Sequence, residues 1–161
     1  MHKTALAALL AALVAAPADA ADMYAGLRLG QAKYNIPGVI YSPSAVGVLG
    51  GYTINPNLAV EAEYIYLGST NSSTATAMGV SALAFYPGDQ PFSLFAKISY
   101  TSSIWKSLNQ VQYNSSFTHG LGCQYDATKS ISARFGWDRH IAGNPVAVNI
   151  DVLSVAGIVR F

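Results

Sequence analysis

From residue 23 onward, apolar and polar positions alternate with a period of two, and the 3.6-residue repeat of an amphipathic helix is hard to find. The alternation predicts eight strands of about ten residues. In the first, 23–33, Met23, Ala25, Leu27 and Leu29 share one face, and Tyr24, Gly26, Arg28 and Gly30 the other. The second, 45–54, sets Val46, Val48, Tyr52 and Ile54 against Gly47, Gly51 and Thr53, and the third, 58–67, sets Leu58, Val60, Ala62, Tyr64 and Tyr66 against Glu61 and Glu63. Met78, Val80, Ala82, Ala84 and Tyr86 make the apolar face of the fourth, 77–86, and Phe92, Leu94, Ala96, Ile98 and Tyr100 that of the fifth, 92–100. The sixth, 117–125, alternates Leu121, Cys123 and Tyr125 with Gly120, Gly122 and Gln124. The seventh, 131–138, opposes Ile131, Ala133, Phe135 and Trp137 to Ser132, Arg134, Gly136 and Asp138, and the eighth, 152–161, opposes Leu153, Val155, Val159 and Phe161 to Ser154, Ala156 and Arg160.

Three connections (55–57, 87–91, 126–130) are short and carry Pro, Asn, Gly or Asp, the residues of tight turns. Those between them (34–44, 68–76, 101–116, 139–151) are longer and polar. Short turns at one end and long loops at the other are the connectivity of an up-and-down transmembrane barrel. Ten residues, tilted by roughly 45°, span about 23 Å, close to the apolar band of an outer membrane. The expected fold class is therefore all-β, an eight-stranded antiparallel up-and-down transmembrane β-barrel.

Alternation alone does not separate a membrane barrel from a soluble one, since both have an apolar and a polar face. Charge placement favours lipid. Only fifteen charged residues follow residue 20, and the seven assigned to strands, Arg28, Glu61, Glu63, Lys97, Arg134, Asp138 and Arg160, all oppose the apolar face. Aromatic residues of the apolar face gather at strand ends: Tyr52, Tyr86, Phe92, Tyr125 and Phe161 by the short turns, and Tyr64, Tyr66, Tyr100 and Trp137 toward the long loops. Two such bands are expected at the two membrane interfaces. The glycines of the polar face suit a narrow interior filled by side chains.

Residues 1–20 read as a secretory signal peptide: a short basic start, an apolar run from Ala5 to Ala16, then Ala18-Asp19-Ala20 as an A-x-A cleavage site. The expected organisation is a signal peptide over 1–20 and one barrel domain over 21–161. The low charge and an isoelectric point near 7.8 argue against a nucleic-acid partner. The one cysteine, Cys123, excludes a disulfide framework within the chain and is expected to be an inert apolar residue of the lipid face.

The opening Met23-Tyr24-Ala25-Gly26-Leu27-Arg28-Leu29-Gly30, Gly51-Tyr52 before Asn55-Pro56-Asn57-Leu58, the segments Ser93–Lys97 and Leu153–Val155, and the end Val159-Arg160-Phe161 together carry a resemblance. The chain resembles the small eight-stranded outer-membrane barrels of Gram-negative bacteria, of the OmpA-transmembrane-domain or OmpX-like type, over nearly all of 22–161. The resemblance implies a lumen plugged by a salt-bridge network, with Arg28, Glu61, Lys97 and Arg134 at matching positions and Gln124 where a further lumenal Glu would stand. It also implies that Phe161, with Val159 before it, is the signal read by the outer-membrane assembly machinery, reached with periplasmic chaperones, and that lipid and lipopolysaccharide surround a monomer.

Glu61 and Glu63, two apart on the polar face, are candidates for acid–base chemistry. With Arg28, Lys97 and Arg134 expected nearby, ion pairing is the reading adopted. Asp138 and His140 form an Asp-x-His at the outer end of the seventh strand, similar to the dyad of outer-membrane proteases, but the ten strands and second carboxylate pair of those enzymes are not evident. His140-Ile141-Ala142-Gly143 lacks the serine of lipid A deacylase barrels. His119 is expected at girdle level facing outward, and Trp105 and Tyr113 in the longest loop, where exposed aromatics are candidates for a partner contact but a solvated loop is the plainer reading. No enzyme activity, cofactor or metal is expected. The chain is read as a structural outer-membrane barrel with loops available for interaction, with a narrow porin-like channel for small solutes as the alternative and a rim enzyme as a remote one.

Overall fold

A computed structural model describes residues 23–36, 39–69, 73–87, 89–107, 110–142 and 148–161. The expected signal peptide lies outside them. Nine strands are described: β1 (Met23–Ile36), β2 (Val39–Tyr41), β3 (Ser44–Asn55), β4 (Leu58–Ser69), β5 (Ser73–Tyr86), β6 (Phe92–Ser107), β7 (Gln110–Asp126), β8 (Ile131–Ala142) and β9 (Val148–Arg160). Each pairs antiparallel with its neighbour, and β1 pairs with β9, so the sheet closes. β2 is the outer continuation of β3: Tyr34 pairs with Tyr41 and Gln31 with Ser44 in one register, interrupted at Ser42-Pro43. Proline has no N–H to give a ladder. The result is the eight-stranded antiparallel barrel the alternation predicts.

Following the registers from Met23 through Tyr52, Val60, Ala82, Ile98, His119, Arg139 and Asp151 leads back to β1 at Lys33, ten residues farther along. A stagger of ten in eight strands sets a strand tilt of about 40° and an interior just wide enough for side chains. The short turns are closed locally. Asn55 Oδ1 accepts from Asn57 N at 2.9 Å, and Thr128 Oγ1 accepts from Ser130 N and Ile131 N at 3.2 and 2.9 Å. At the other end of β4 a register shift falls between Tyr66 and Gly68, and Gly68 takes φ +101°, a conformation open to glycine and strained for other residues.

The faces are as expected. Leu29, Val80, Ile98, Leu121, Phe135 and Val155 point outward and are about half or more exposed, so the apolar face is on the outside of the barrel. A wall of this kind is stable against lipid, where all backbone groups must be paired within the sheet. Two features differ from the sequence reading. The strands run well past the outer aromatic band, so 101–116 is mostly strand rather than loop. Arg139, Asp151, Lys33 and Lys106, read as loop or strand-end charges, ride on these extensions. Beyond the apolar band the outward face no longer needs to be hydrophobic, which is why alternation fades there while the ladder continues.

Candidate functional site

The lumen holds most of the polar chemistry. At the short-turn end, Tyr24, Leu49, Ala59, Leu83, Phe95, Ala156 and Ile158 form one buried apolar layer, and at the other end Ala32, Tyr34, Ala45, Ile65, Leu67, Ala75, Ala77, Ile150 and Val152 form a second. Trp105 joins the second layer, 5.8 Å from the Tyr34 ring, so it is an inward strand residue and not a loop contact. Tyr113 also lies on a strand, β7, and is exposed.

Between the layers stands a ring of alternating charge. Arg28 Nη1 is 2.5 Å from Glu63 Oε1, and its Nη2 donates to Asp138. Lys97 Nζ is 2.9 Å from Glu63 Oε2 and 3.1 Å from Asp138 Oδ1. Arg28 Nε donates to Ser154 Oγ at 2.8 Å. Two cations face two anions, and the four carboxylate oxygens each take one partner. All four side chains are at most 7% exposed, where an unpaired charge would be costly. Gly120 makes room for the ring: a Cβ there would fall on the Asp138 carboxylate.

A second group lies toward the short-turn end. Arg134 Nη1 donates to Glu61 Oε2 at 2.6 Å, its Nε and Nη2 donate to Gln124 Oε1 at 3.1 and 3.0 Å, and Tyr24 Oη donates to Glu61 at 3.2 Å. The Arg134 guanidinium carbon is 5.3, 5.7 and 5.8 Å from the ring centres of Phe95, Phe85 and Tyr24, a cation held among aromatic faces. Below it a cavity of about 350 Å³ opens among Thr53, Asn55, Asp89, Ser93, Asp126 and Arg160. Beside the charged groups only about 20 Å³ and 10 Å³ of space remain.

Arg28, Glu61, Glu63, Lys97, Gln124 and Arg134 are thus all lumenal, but in two groups rather than one. Asp138 belongs to the ring as well; by sequence it stands on the charged face but outside the expected salt-bridge set. His140 is buried as well and is no rim residue. The missed signal was available: Asp138 was already on the charged face. Ser154 and Tyr24, also missed, carry no mark in the sequence beyond facing inward.

On the outside, Tyr52, Tyr86, Phe92 and Tyr125 are exposed beside the short turns, and Tyr64 and Tyr100 at the outer band, with Tyr66 and Trp137 half-buried there. Phe117 joins the outer band against Tyr100, ring centres 5.4 Å apart. His119 faces outward and packs on Trp137 at 5.8 Å. Cys123 is a free thiol, half-buried, on the outward face. A lipid-facing groove of about 660 Å³ crosses Ala25, Gly50 and Ala62 between Tyr64, Met78 and Tyr100. Just beyond the outer band, Arg139 binds Asp151 at 2.7 and 3.1 Å and stacks on Trp137, and Asn35 donates to Asp151 at 2.7 Å. These bonds hold the Asp151 carboxyl below the usual carboxylate range. Among the described residues no cluster of three or more His, Cys, Asp or Glu is placed to hold a metal.

A closed eight-stranded barrel with an apolar exterior, two aromatic bands and a charged, filled lumen defines an outer-membrane β-barrel protein. The chain matches the family described as outer membrane protein beta-barrel domain over residues 4–161, and it belongs to that family. Solved structures agree. Neisserial surface protein A is 20% identical with a TM-score of 0.68, covering 86% of this chain and 97% of that one. The N-terminal barrel of Pseudomonas aeruginosa OprF is 13% identical with a TM-score of 0.61, covering 84% and 96%. Ail, the attachment invasion locus protein of Yersinia pestis, is 14% identical with a TM-score of 0.56, covering 86% and 98%. At these identities the likeness is one of fold. No curated protein matches the chain.

Proposed function

We propose that this barrel is a structural, non-catalytic component of the outer membrane whose lumen is closed at neutral pH, with its strand extensions and loops available for surface interaction. The observation that carries the reading is the Arg28–Glu63–Lys97–Asp138 ring between two apolar layers. A solute would have to break paired charges and displace packed side chains on both sides of them. Glu61, Glu63 and Asp138, the carboxylates buried in the lumen, are each engaged by a cation, which supports the non-catalytic reading.

In this reading residues 1–20 direct export, periplasmic chaperones and the assembly machinery deliver the chain with Phe161 and Val159 as the recognised end, and the protein works as a monomer surrounded by lipid and lipopolysaccharide. Planar-bilayer recording of the refolded mature protein at about pH 7.5 tests the closed lumen, with folding verified by heat-modifiable gel migration. The expected result is silence. Steady small conductance steps from folded protein would overturn it in favour of a narrow channel.

A further inference from the structure

Above the ring the lumen is lined unequally. β1, β3, β4, β5 and β9 contribute Ala32, Ala45, Ile65, Ala77 and Val152, while β6 and β7 contribute hydroxyls. Ser99 accepts from Ser81 at 2.9 Å, Thr101 and Thr118 lie 3.1 Å apart, and Ser103 donates to Ile141 O at 3.4 Å. At this boundary β8 places His140, 3% exposed, with neither ring nitrogen partnered among the described residues. A neutral imidazole carries one donor and one acceptor, and burying both unmet opposes folding. A leucine would fill the same layer without that cost. The residual space of about 10 Å³ beside it, lined by Glu63, Ser81, Ser99 and Thr101, is enough for about one water molecule.

We propose that His140 is an acid-operated latch of the lumen. The charged groups that face it are Asp138 on its own strand, Glu63 on β4, Lys97 on β6 and Arg28 on β1. On β9 its neighbours are apolar, on β5 Ala77 stands beside Ser81, whose hydroxyl donates to Ser99, and Thr118 on β7 is bonded to Thr101. Two cations and two anions balance only while the imidazole is neutral. A proton on His140 makes three cations against two carboxylates and adds a second N–H that needs an acceptor. Water and a small anion then enter along the hydroxyl-lined wall, the His140 layer loosens, and the lumen admits small ions. This rests on the lumen being closed at neutral pH.

The test is bilayer recording of the refolded protein at about pH 7.5 and about pH 3.5, with H140Q and H140K beside the unaltered chain. The expected result is silence at neutral pH, openings in acid, loss of the acid openings in H140Q, and openings at neutral pH in H140K. Silence of the unaltered protein at both values overturns the latch, as does acid opening that survives in H140Q, which would assign it to the carboxylates. Conductance of the unaltered protein at neutral pH instead overturns the closed lumen itself. If H140Q does not fold, NMR titration of the imidazoles decides. Protonation of His140 should coincide with lost amide protection on β6–β8. Protection unchanged through His140 protonation overturns the proposal.

Discussion

Arg134 holds Glu61 at 2.6 Å without joining the ring two residues farther along β4, where Glu63 is held by Arg28 and Lys97. Two residues on one strand face move a side chain about 5 Å along a tilted strand, enough to place neighbouring carboxylates in different layers. The lumen therefore carries two balanced charge groups in series.

This separation predicts how charge removals combine. Glu63→Ala leaves Arg28 and Lys97 with one carboxylate between them, and Glu61→Ala strips Arg134, each costing about 3–5 kcal/mol as buried unpaired charge. Denaturant unfolding of the barrel should show that the two losses add within about 0.5 kcal/mol. Glu63→Ala and Asp138→Ala, which share both cations, should depart from additivity by more than that. A single coupled network would give the same non-additivity for both pairs.

Val155 and Ser154 are neighbours on β9 with opposite exposures, the first half-exposed to lipid and the second buried against Arg28. Val155→Arg should cost about 2–4 kcal/mol by placing a charge near the bilayer midplane. Ser154→Arg is not the benign control that alternation alone implies, because it puts a cation on the Arg28 guanidinium. The benign control is Ser115→Arg, exposed beyond the outer band, which should stay within about 0.5 kcal/mol. Unfolding midpoints of the three variants check the order.

Period-two patterning was enough to place every lumenal charge on the correct face, since Arg28, Glu61, Glu63, Lys97 and Arg134 alternate with lipid-facing apolar residues within the bilayer. It did not locate the strand ends. Ser102, Ser103, Gln112 and Asn114 are polar on both faces where the β6–β7 hairpin leaves the membrane, so nothing in the pattern distinguishes strand from loop. The same blindness ended the seventh strand at Asp138 and left His140 outside the barrel. Pairing was illegible for another reason. Which carboxylate meets which cation depends on the stagger, a property of eight registers together, and Arg28 meets Asp138 across more than a hundred residues.

At the outer rim the Arg139 and Asn35 bonds keep the Asp151 carboxyl below its ordinary range. A carboxylate whose pKa is lower folded than unfolded contributes stability that is present above its unfolded value and is lost as pH falls through the folded one. The group sits partly exposed at the barrel rim, so the effect is local. Amide exchange at the outer ends of β8 and β9 should accelerate as pH falls below about 4, after correction for intrinsic rates, and Asp151→Asn should remove that acceleration. Equal behaviour of both proteins would show that the bonds do not order this rim.

Phe161 adds a backbone bond at the seam where β9 meets β1. Its N–H donates to Met23 O at 3.0 Å, beside the β1–β9 ladder in which Tyr24 faces Arg160. Its ring continues the outward row of Val155 and Val159 to the inner interface. Deletion of Phe161 removes one seam hydrogen bond, worth about 1 kcal/mol in a folded barrel, so the isolated protein should refold with little loss of stability. If the ring is the feature the assembly machinery reads, insertion in cells should fall far more than that loss explains. Phe161→Ala keeps the backbone bond and removes only the ring, so it should reproduce the assembly defect with refolding in detergent unchanged. A parallel loss of refolding and insertion would instead make the residue a structural closure and nothing more.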